Sequence, residues 1–364
     1  MTWRSIHISY RRDQDALILD AVWPLFTLIR DQVPQTHFVR HWKRGPHLRL
    51  NVPTSPDTYA AVVRPAVDET VGGYLAAHPS TVDLDPARLL PLHERLAELE
   101  DEPGPLLPWY PDNSIQEADF DRRLSVLGSQ EAADLLTDFY VDTTDLTFQM
   151  TDRVHRRNAS RLGAAFDLMI TTAHVLCRGG VTKAFVCFRS HAEAFMATFP
   201  EGQGLRPSWN QHYAEHRSTL ARRVSAVVAT LDSEQTSVPY IRAWVAALTP
   251  IGQRAEGLSA AGRLSMNPQP PAGGDGAATG GNKSHPARLA EVSPFHRALG
   301  SNEWWWREIW PSDWFAAFRL TLNYTYLHLT RLGVKPVERY LLCHLAANAV
   351  EDAFGVSAME MIRS

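Results

Sequence analysis

The chain has 364 residues, 45% of them hydrophobic and 21% charged, a balance that excludes an intrinsically disordered polypeptide and suits a folded globular one. The formal net charge of −4 gives no bulk electrostatic reason to bind nucleic acid. Three cysteines, Cys177, Cys187 and Cys343, form no CxxC pair, and their odd number argues for free thiols in a reducing, cytoplasmic setting.

The start alternates loosely, with Trp3, Ile6, Ile8 and Tyr10 set against Arg4, Ser5, His7 and Ser9, and predicts a strand. Leu17, Leu19, Val22, Leu25, Phe26 and Ile29 recur at helical spacing, with Pro24 as a point of kinking and Pro34 as a stop. Residues 36–42 and 47–52 read as a hairpin turned at Arg44-Gly45-Pro46, and 56–77 as a helix. The succession predicts an α+β fold, a small antiparallel sheet with helices packed on it. Residues 106–119 are irregular with room for a short strand. From residue 130 onward the periodicity turns helical, over 132–150, 156–176, 183–199, 213–231 and 240–248, giving a large helical layer. The Pro/Gly/Ala-rich stretch 266–285 lacks apolar periodicity and reads as a flexible loop, either an inert linker or a gating lid. Helices at 314–332 and 336–354 close the chain. No signal peptide and no apolar run near the roughly 20 residues of a membrane span is present.

No P-loop, dinucleotide-binding glycine pattern, HExxH or GxSxG occurs, so no metal or cofactor is expected and chemistry must come from acid–base groups and positioning. His212 and His216 are four apart on a polar, Arg-rich helix and read first as a solvated face. Three constellations stand out. In the hairpin, Arg40, His47, Arg49 and Asn51 are candidate ligands for an acidic or amide-rich substrate; His47, Arg49 and Asn51 share one strand face, and the alternative is a solvated outer face. Arg319, Asn323, Tyr326 and Thr330 form a polar stripe on an otherwise apolar helix, which needs partners or a cavity if buried. Ser293-Pro294-Phe295-His296 precedes Trp304, Trp305, Trp306, Trp310 and Trp314; core packing is the default for so many indoles, and an aromatic wall for a heterocycle-bearing peptide the alternative.

WRSIHISYR and HFVRHWKRGPHLRL resemble the start of the elimination domain of lantibiotic dehydratases and their stand-alone thiopeptide relatives. AADLLTDFYVDTTDL is similar to the family's acidic-helix block, TKAFVCFRSHAEAF to a later helix, and NYTYLHLTRLGVKPVERYLLCHLA to its closing helices. The resemblance spans most of the chain and implies a single catalytic domain over 1–364. Members that eliminate glutamate carry paired arginines on the second hairpin strand and a histidine on the closing helix. Here Arg49 keeps the first arginine position, Asn51 replaces the second, and Tyr326 stands at the histidine position with His328 two residues on. A carboxylate leaving group calls for fixed cations, so these departures point to the branch that forms the thiopeptide pyridine.

That resemblance implies a formal aza-cycloaddition between two dehydroalanines of a modified precursor peptide, with loss of water and leader peptide and no cofactor. It implies Tyr326 as general acid or base, Asn323 as its orienter, Ser293 and His296 in water loss, and Arg40, His47, Arg49, Asn51 and Arg319 as substrate contacts. The expected partner is the leader-bearing peptide, with no nucleic acid and no membrane. A glutamate eliminase, a ligase using aminoacyl-transfer RNA, and a non-catalytic peptide-binding module are the alternatives.

Overall fold

The computed structural model describes residues 2–100, 102–199, 201–233, 237–264 and 286–363. The loop expected at 266–285 lies outside the described residues. Two compact units divide the chain. The first gathers residues up to Leu127 with Leu136–Ala159 and Thr330–Gly333; the second takes Gly128–Leu135, Ser160–Leu329 and the chain from Val334.

The first unit is built on the expected antiparallel sheet. Strands β1 (Thr2–Ser9), β2 (His37–His41), β3 (His47–Thr54) and β4 (Ser114–Asp119) lie in the order β2-β3-β1-β4. Register sets Ile6 opposite Leu50, Ile8 opposite Leu48 and Phe38 opposite Leu50, so one face is apolar. Helices α1 (14–29) and α2 (56–77) join this face in one core, with Leu17, Phe26, Val63 and Val67 fully buried. Each such side chain contributes about 1.5–3 kcal/mol by leaving water.

Both helices contain a widened turn, Ile18–Val22 and Tyr59–Val63, just ahead of a proline, Pro24 and Pro65. A proline lacks the N–H and crowds the carbonyl one turn back, and the wider i→i+5 turn accommodates both defects without breaking the helix. The helix α3 (Pro86–Glu100) has no counterpart in the sequence reading.

The helix expected at 132–150 is two helices, α4 (Gln130–Asp142) and α5 (Thr144–His155), parted at Thr143. The Thr143 and Thr144 hydroxyls donate back to the carbonyls of Phe139 and Tyr140, and also receive the Arg331 guanidinium at 2.8 and 2.7 Å. Arg331 lies between the Phe38 and Tyr140 rings, and burial pulls its pKa down to about 9.

The second unit is helical. Its elements include α6 (Arg161–Leu176), α7 (Val181–Thr198), α8 (Leu205–Asp232), α9 (Ile241–Ala260), the short α10 (Pro294–Gly300), α11 (Asp313–Arg331), which belongs to it up to Leu329, and α12 (Pro336–Phe354). α9 runs through Pro250 well past the expected end, because Ile251 and Ala255 beyond it are buried. Proline opens α12 and Gly355, at φ 64°, ends it in the left-handed region where a side chain is disfavoured. Helices α7 and α8 both pack on α12. Trp244 is wholly buried on α9 and donates to Thr172 on α6, whose hydroxyl meets that of Thr325 on α11. Among the described residues no helix is long and apolar enough to cross a membrane.

Candidate functional site

The expected residues fall into two groups, one in each unit. In the first unit, strand alternation sets His37 and His41 of β2, His47, Arg49 and Asn51 of β3, and Ser5, His7 and Ser9 of β1 on the face opposite the core. That face is not solvated: His47 is fully buried, Asn51 is 4% exposed and His7 7%. Tyr110 sits edge-on to His7 and His47, and Phe120 and Tyr140 pack against His37.

Burial, then the charges of Arg49 and Arg44, pulls His7 down to about 4. Burial pulls His47 down to about 3 against the opposing hydrogen bond to the Gly45 carbonyl, and holds His41 well below its ordinary value. The imidazoles are therefore neutral near pH 7 and accept from their cationic neighbour. Arg49 Nε donates to His47 Nε2 at 3.2 Å, and its terminal nitrogen lies 3.1 Å from His41 Nδ1. Glu102, its side chain 3% exposed, faces Lys43 at 3.2 Å, Arg123 at 3.9 Å and Arg49 at 4.0 Å. One buried carboxylate thus serves three cations.

Arg40 does not join this group. Opposite Leu48 in register, it lies on the apolar face and is spent on an ion pair with Asp15, on Gln14 and on the Arg331 carbonyl at 2.9 Å. His47 and Asn51 are buried, and Asn51 Nδ2 bonds His37 Nε2 at 3.0 Å.

The second group centres on α7, where two adjacent residues each anchor a chain of polar atoms. Ser293 caps α10, with Pro294 in its first turn and His296 three residues on. His296 is thereby held with Nδ1 2.9 Å from Ser293 Oγ and Nε2 2.9 Å from Ser190 Oγ. On the next residue of α7, His191 Nδ1 lies 2.8 Å from the Tyr326 hydroxyl, which also stands 3.4 Å from Cys343 Sγ on α12. Burial pulls His191 and His296 each down to about 4, and raises Tyr326 well above its ordinary value. Near pH 7 this gives a protonated phenol against a neutral imidazole, beside a Ser–His–Ser chain, with Tyr326, Ser293 and His296 buried and Ser190 and His191 half-buried. Such groups can pass a proton with little reorganisation. The Arg339 guanidinium over the Tyr326 ring, 5.2 Å from its centre, adds a fixed cation.

The stripe on α11 is graded rather than uniformly buried. Tyr326 is buried, Arg319 half-buried over the Trp310 ring at 4.0 Å, and Asn323 and Thr330 are exposed. The default core reading of the tryptophans is also corrected. None of Trp304, Trp305, Trp306, Trp310 and Trp314 is fully buried, and Trp304 is 55% exposed. Trp306 packs on Trp310, Trp310 lies under the Arg319 guanidinium, and Trp305 and Trp314 pack on Phe315. Ser190, His191, Cys343 and Arg339 were missed by sequence reasoning. The one available signal was the pair Ser190-His191 within a helix otherwise rich in Phe and Ala.

The model of the family "Lantibiotic biosynthesis dehydratase C-term" matches residues 3–350. Among solved structures, the chain is similar to the pyridine synthase TbtD from thiomuracin biosynthesis, at 39% identity over 98% of this chain and 100% of that one, with a TM-score of 0.79. It shares its fold with TsrL, at 21% identity over 99% and 97% of the two chains and a TM-score of 0.73. It also shares its fold with part of the tRNA-dependent lantibiotic dehydratase MibB from Microbispora sp. 107891. There identity is 14% over 98% of this chain and 28% of that one, with a TM-score of 0.52. No curated protein sequence matches the chain significantly.

Proposed function

The chain belongs to the lantibiotic biosynthesis dehydratase C-terminal family, and from that premise we propose that it is a thiopeptide pyridine synthase. The observation that carries the reading is the end-to-end similarity to TbtD. The substrate is a modified, leader-bearing precursor peptide with two dehydroalanines. One acts as the alkene. The other, with its preceding amide in the iminol form, acts as the 2-aza-diene. Two new bonds close a six-membered ring. Loss of water from the former amide carbon, and of the leader as an amide, leaves the aromatic pyridine and closes the macrocycle. Two eliminations supply the aromaticity without a change of redox state, so the proposed enzyme needs no redox cofactor.

What the protein then supplies is proximity and proton transfer. Tyr326 is the proposed general acid or base, with the neutral imidazole of His191 accepting and returning its proton. His296, aligned by Ser293 and Ser190, serves the loss of water. Asn323 and Arg319, on the accessible side of α11, hold peptide amides; in the first unit Arg49 remains a candidate contact. Glutamate elimination is disfavoured because position 51, at the place of the second arginine, is an asparagine engaged with His37.

The test is incubation with a leader-bearing bis-dehydroalanine peptide, read by mass spectrometry. The expected products are the released leader amide and a macrocycle lighter by that amide plus one water. Leader-bearing substrate returned unchanged would end the reading. Turnover should survive exhaustive chelation and need no nucleotide or flavin; strict dependence on any of these would end its cofactor-free form.

A further inference from the structure

We propose that α8 carries a surface site for a borderline divalent transition-metal ion, Zn²⁺ or Ni²⁺ in kind, formed by His212, Glu215 and His216. The spacing His-x-x-Glu-His sets the three side chains on one helix face at i, i+3 and i+4. Their ligand atoms lie within 4.8 Å of one another, and the two imidazole rings are 4.6 Å apart. All three are exposed, so the imidazoles do not need to be uncovered to bind. Two nitrogen donors and one carboxylate oxygen suit Zn²⁺, Ni²⁺ or Cu²⁺ better than Mg²⁺ or Ca²⁺, which prefer all-oxygen shells.

Two further contacts hold the face ready. On the adjoining face of the helix, the Tyr213 hydroxyl reaches the Asn348 carbonyl at 3.0 Å, and Arg217 grips the Asp352 carboxylate at 2.6 and 2.7 Å. These contacts to α12 fix the helix about its axis, so the histidine face is presented rigidly. Gln211 Nε2 donates to Glu215 Oε1 at 3.0 Å and steadies the third ligand. The other grouping of potential ligands among the described residues, Asp13, Asp15 and His155, is a poorer site. Asp15 there is committed to Arg40, and Asp13 accepts two backbone N–H groups as the cap of α1. The α8 site sits on an open helix face, so the ion keeps water in its outward positions. None of its residues belongs to the proposed proton-transfer groups, and the site stands whether or not the pyridine-forming reading does.

The experiment uses the full chain freed of any affinity tag and of metal. Zn²⁺ is titrated by calorimetry, and Co²⁺ is followed by its visible absorption. One equivalent of saturable binding is expected, displaced by neither Mg²⁺ nor Ca²⁺. Loss of an outer hydrogen-bond partner alone costs a metal site about 10- to 100-fold in affinity, so His212→Ala and His216→Ala should each cost at least that. The double variant should bind no ion at this site yet melt as the wild type does in chelator, because both side chains are exposed. Absence of saturable binding, or a double variant that binds as tightly as wild type, would overturn the proposal.

Discussion

The Tyr326 hydroxyl lies 2.8 Å from Nδ1 of His191. Burial raises the phenol and lowers the imidazole, so the proton rests on tyrosine and the histidine is an empty acceptor. Tyr326→Phe deletes the hydroxyl and keeps the ring. If that hydroxyl moves a proton in the transition state, turnover should fall by roughly 10²- to 10⁴-fold with KM little changed. If it only satisfies a buried acceptor, the variant should lose about 1–3 kcal/mol of stability with turnover preserved. Melting and turnover measured on the same protein separate the two, and near-wild-type turnover in a destabilised variant would sink the catalytic role.

His191 is a positioning residue for that hydroxyl, and its replacements should rank by acceptor chemistry. His191→Asn retains a side-chain oxygen near the place of Nδ1, whereas His191→Leu retains only bulk. The expected order of kcat is wild type, then Asn, then Leu, with KM nearly constant. In the wild type the acid limb of kcat assigned to this group should fall near pH 4, where His191 titrates. Equal damage by Asn and Leu would point to packing as its contribution.

Acid should destabilise the fold through its histidines. His7, His191, His296 and His344 stand at about 4 and His47 at about 3, against 6.5 in the unfolded chain. In the window from 6.5 down to about 4 the unfolded chain therefore binds more protons than the folded one, and stability rises with pH there. Their stabilising contribution is complete above pH 6.5 and is lost as pH falls through that window. The melting temperature should drop steeply between pH 6.5 and 4, with uptake of several protons on unfolding near pH 5. A flat profile would contradict the burial of these rings.

Arg40 and Arg49 should behave oppositely, although both lie in the same hairpin. Arg40→Ala strands the Asp15 carboxylate, whose side chain is 11% exposed, and should cost about 3–5 kcal/mol. Arg40→Met with Asp15→Leu should recover most of that, because it removes both charges. Neither change should alter KM. Arg49→Lys, by contrast, keeps a cation near Glu102 but loses the fork to His47 and His41, and an increase in KM would support a substrate contact there. Denaturant titrations and steady-state kinetics on the three proteins decide the matter.

Alternation and turn chemistry made the sheet legible, because His47 to Val52 and Thr36 to Trp42 flank an unmistakable Gly-Pro turn. They could not tell which face was covered. Tyr110 and Phe120, which close over the histidines, come from an irregular stretch whose docking no periodicity encodes. Arg40 was grouped with Arg49 by proximity in sequence, whereas the hairpin register pairs Arg40 with Leu48 and so sends the two arginines to opposite faces. In the helical unit Tyr326, Ser293 and His296 were visible as polar residues in apolar or capping contexts. The roles of their partners, His191 for Tyr326 and Ser190 for His296, were not, since a polar residue in mid-helix acquires meaning only when another element brings its partner to it.

The half-exposed indoles from Trp304 to Trp314 make the protein its own optical probe. Trp244 is sealed in the helical core and should emit as a shielded indole, largely indifferent to small quenchers. The surface group, with Trp306 against Trp310 and Trp310 against Arg319, should emit further to the red and, together with the half-buried Trp3, Trp23 and Trp42, carry most of the quenching by iodide or acrylamide. Anything that settles over that stretch would shield it, so occupancy becomes readable from emission colour and quenching without a label on protein or peptide.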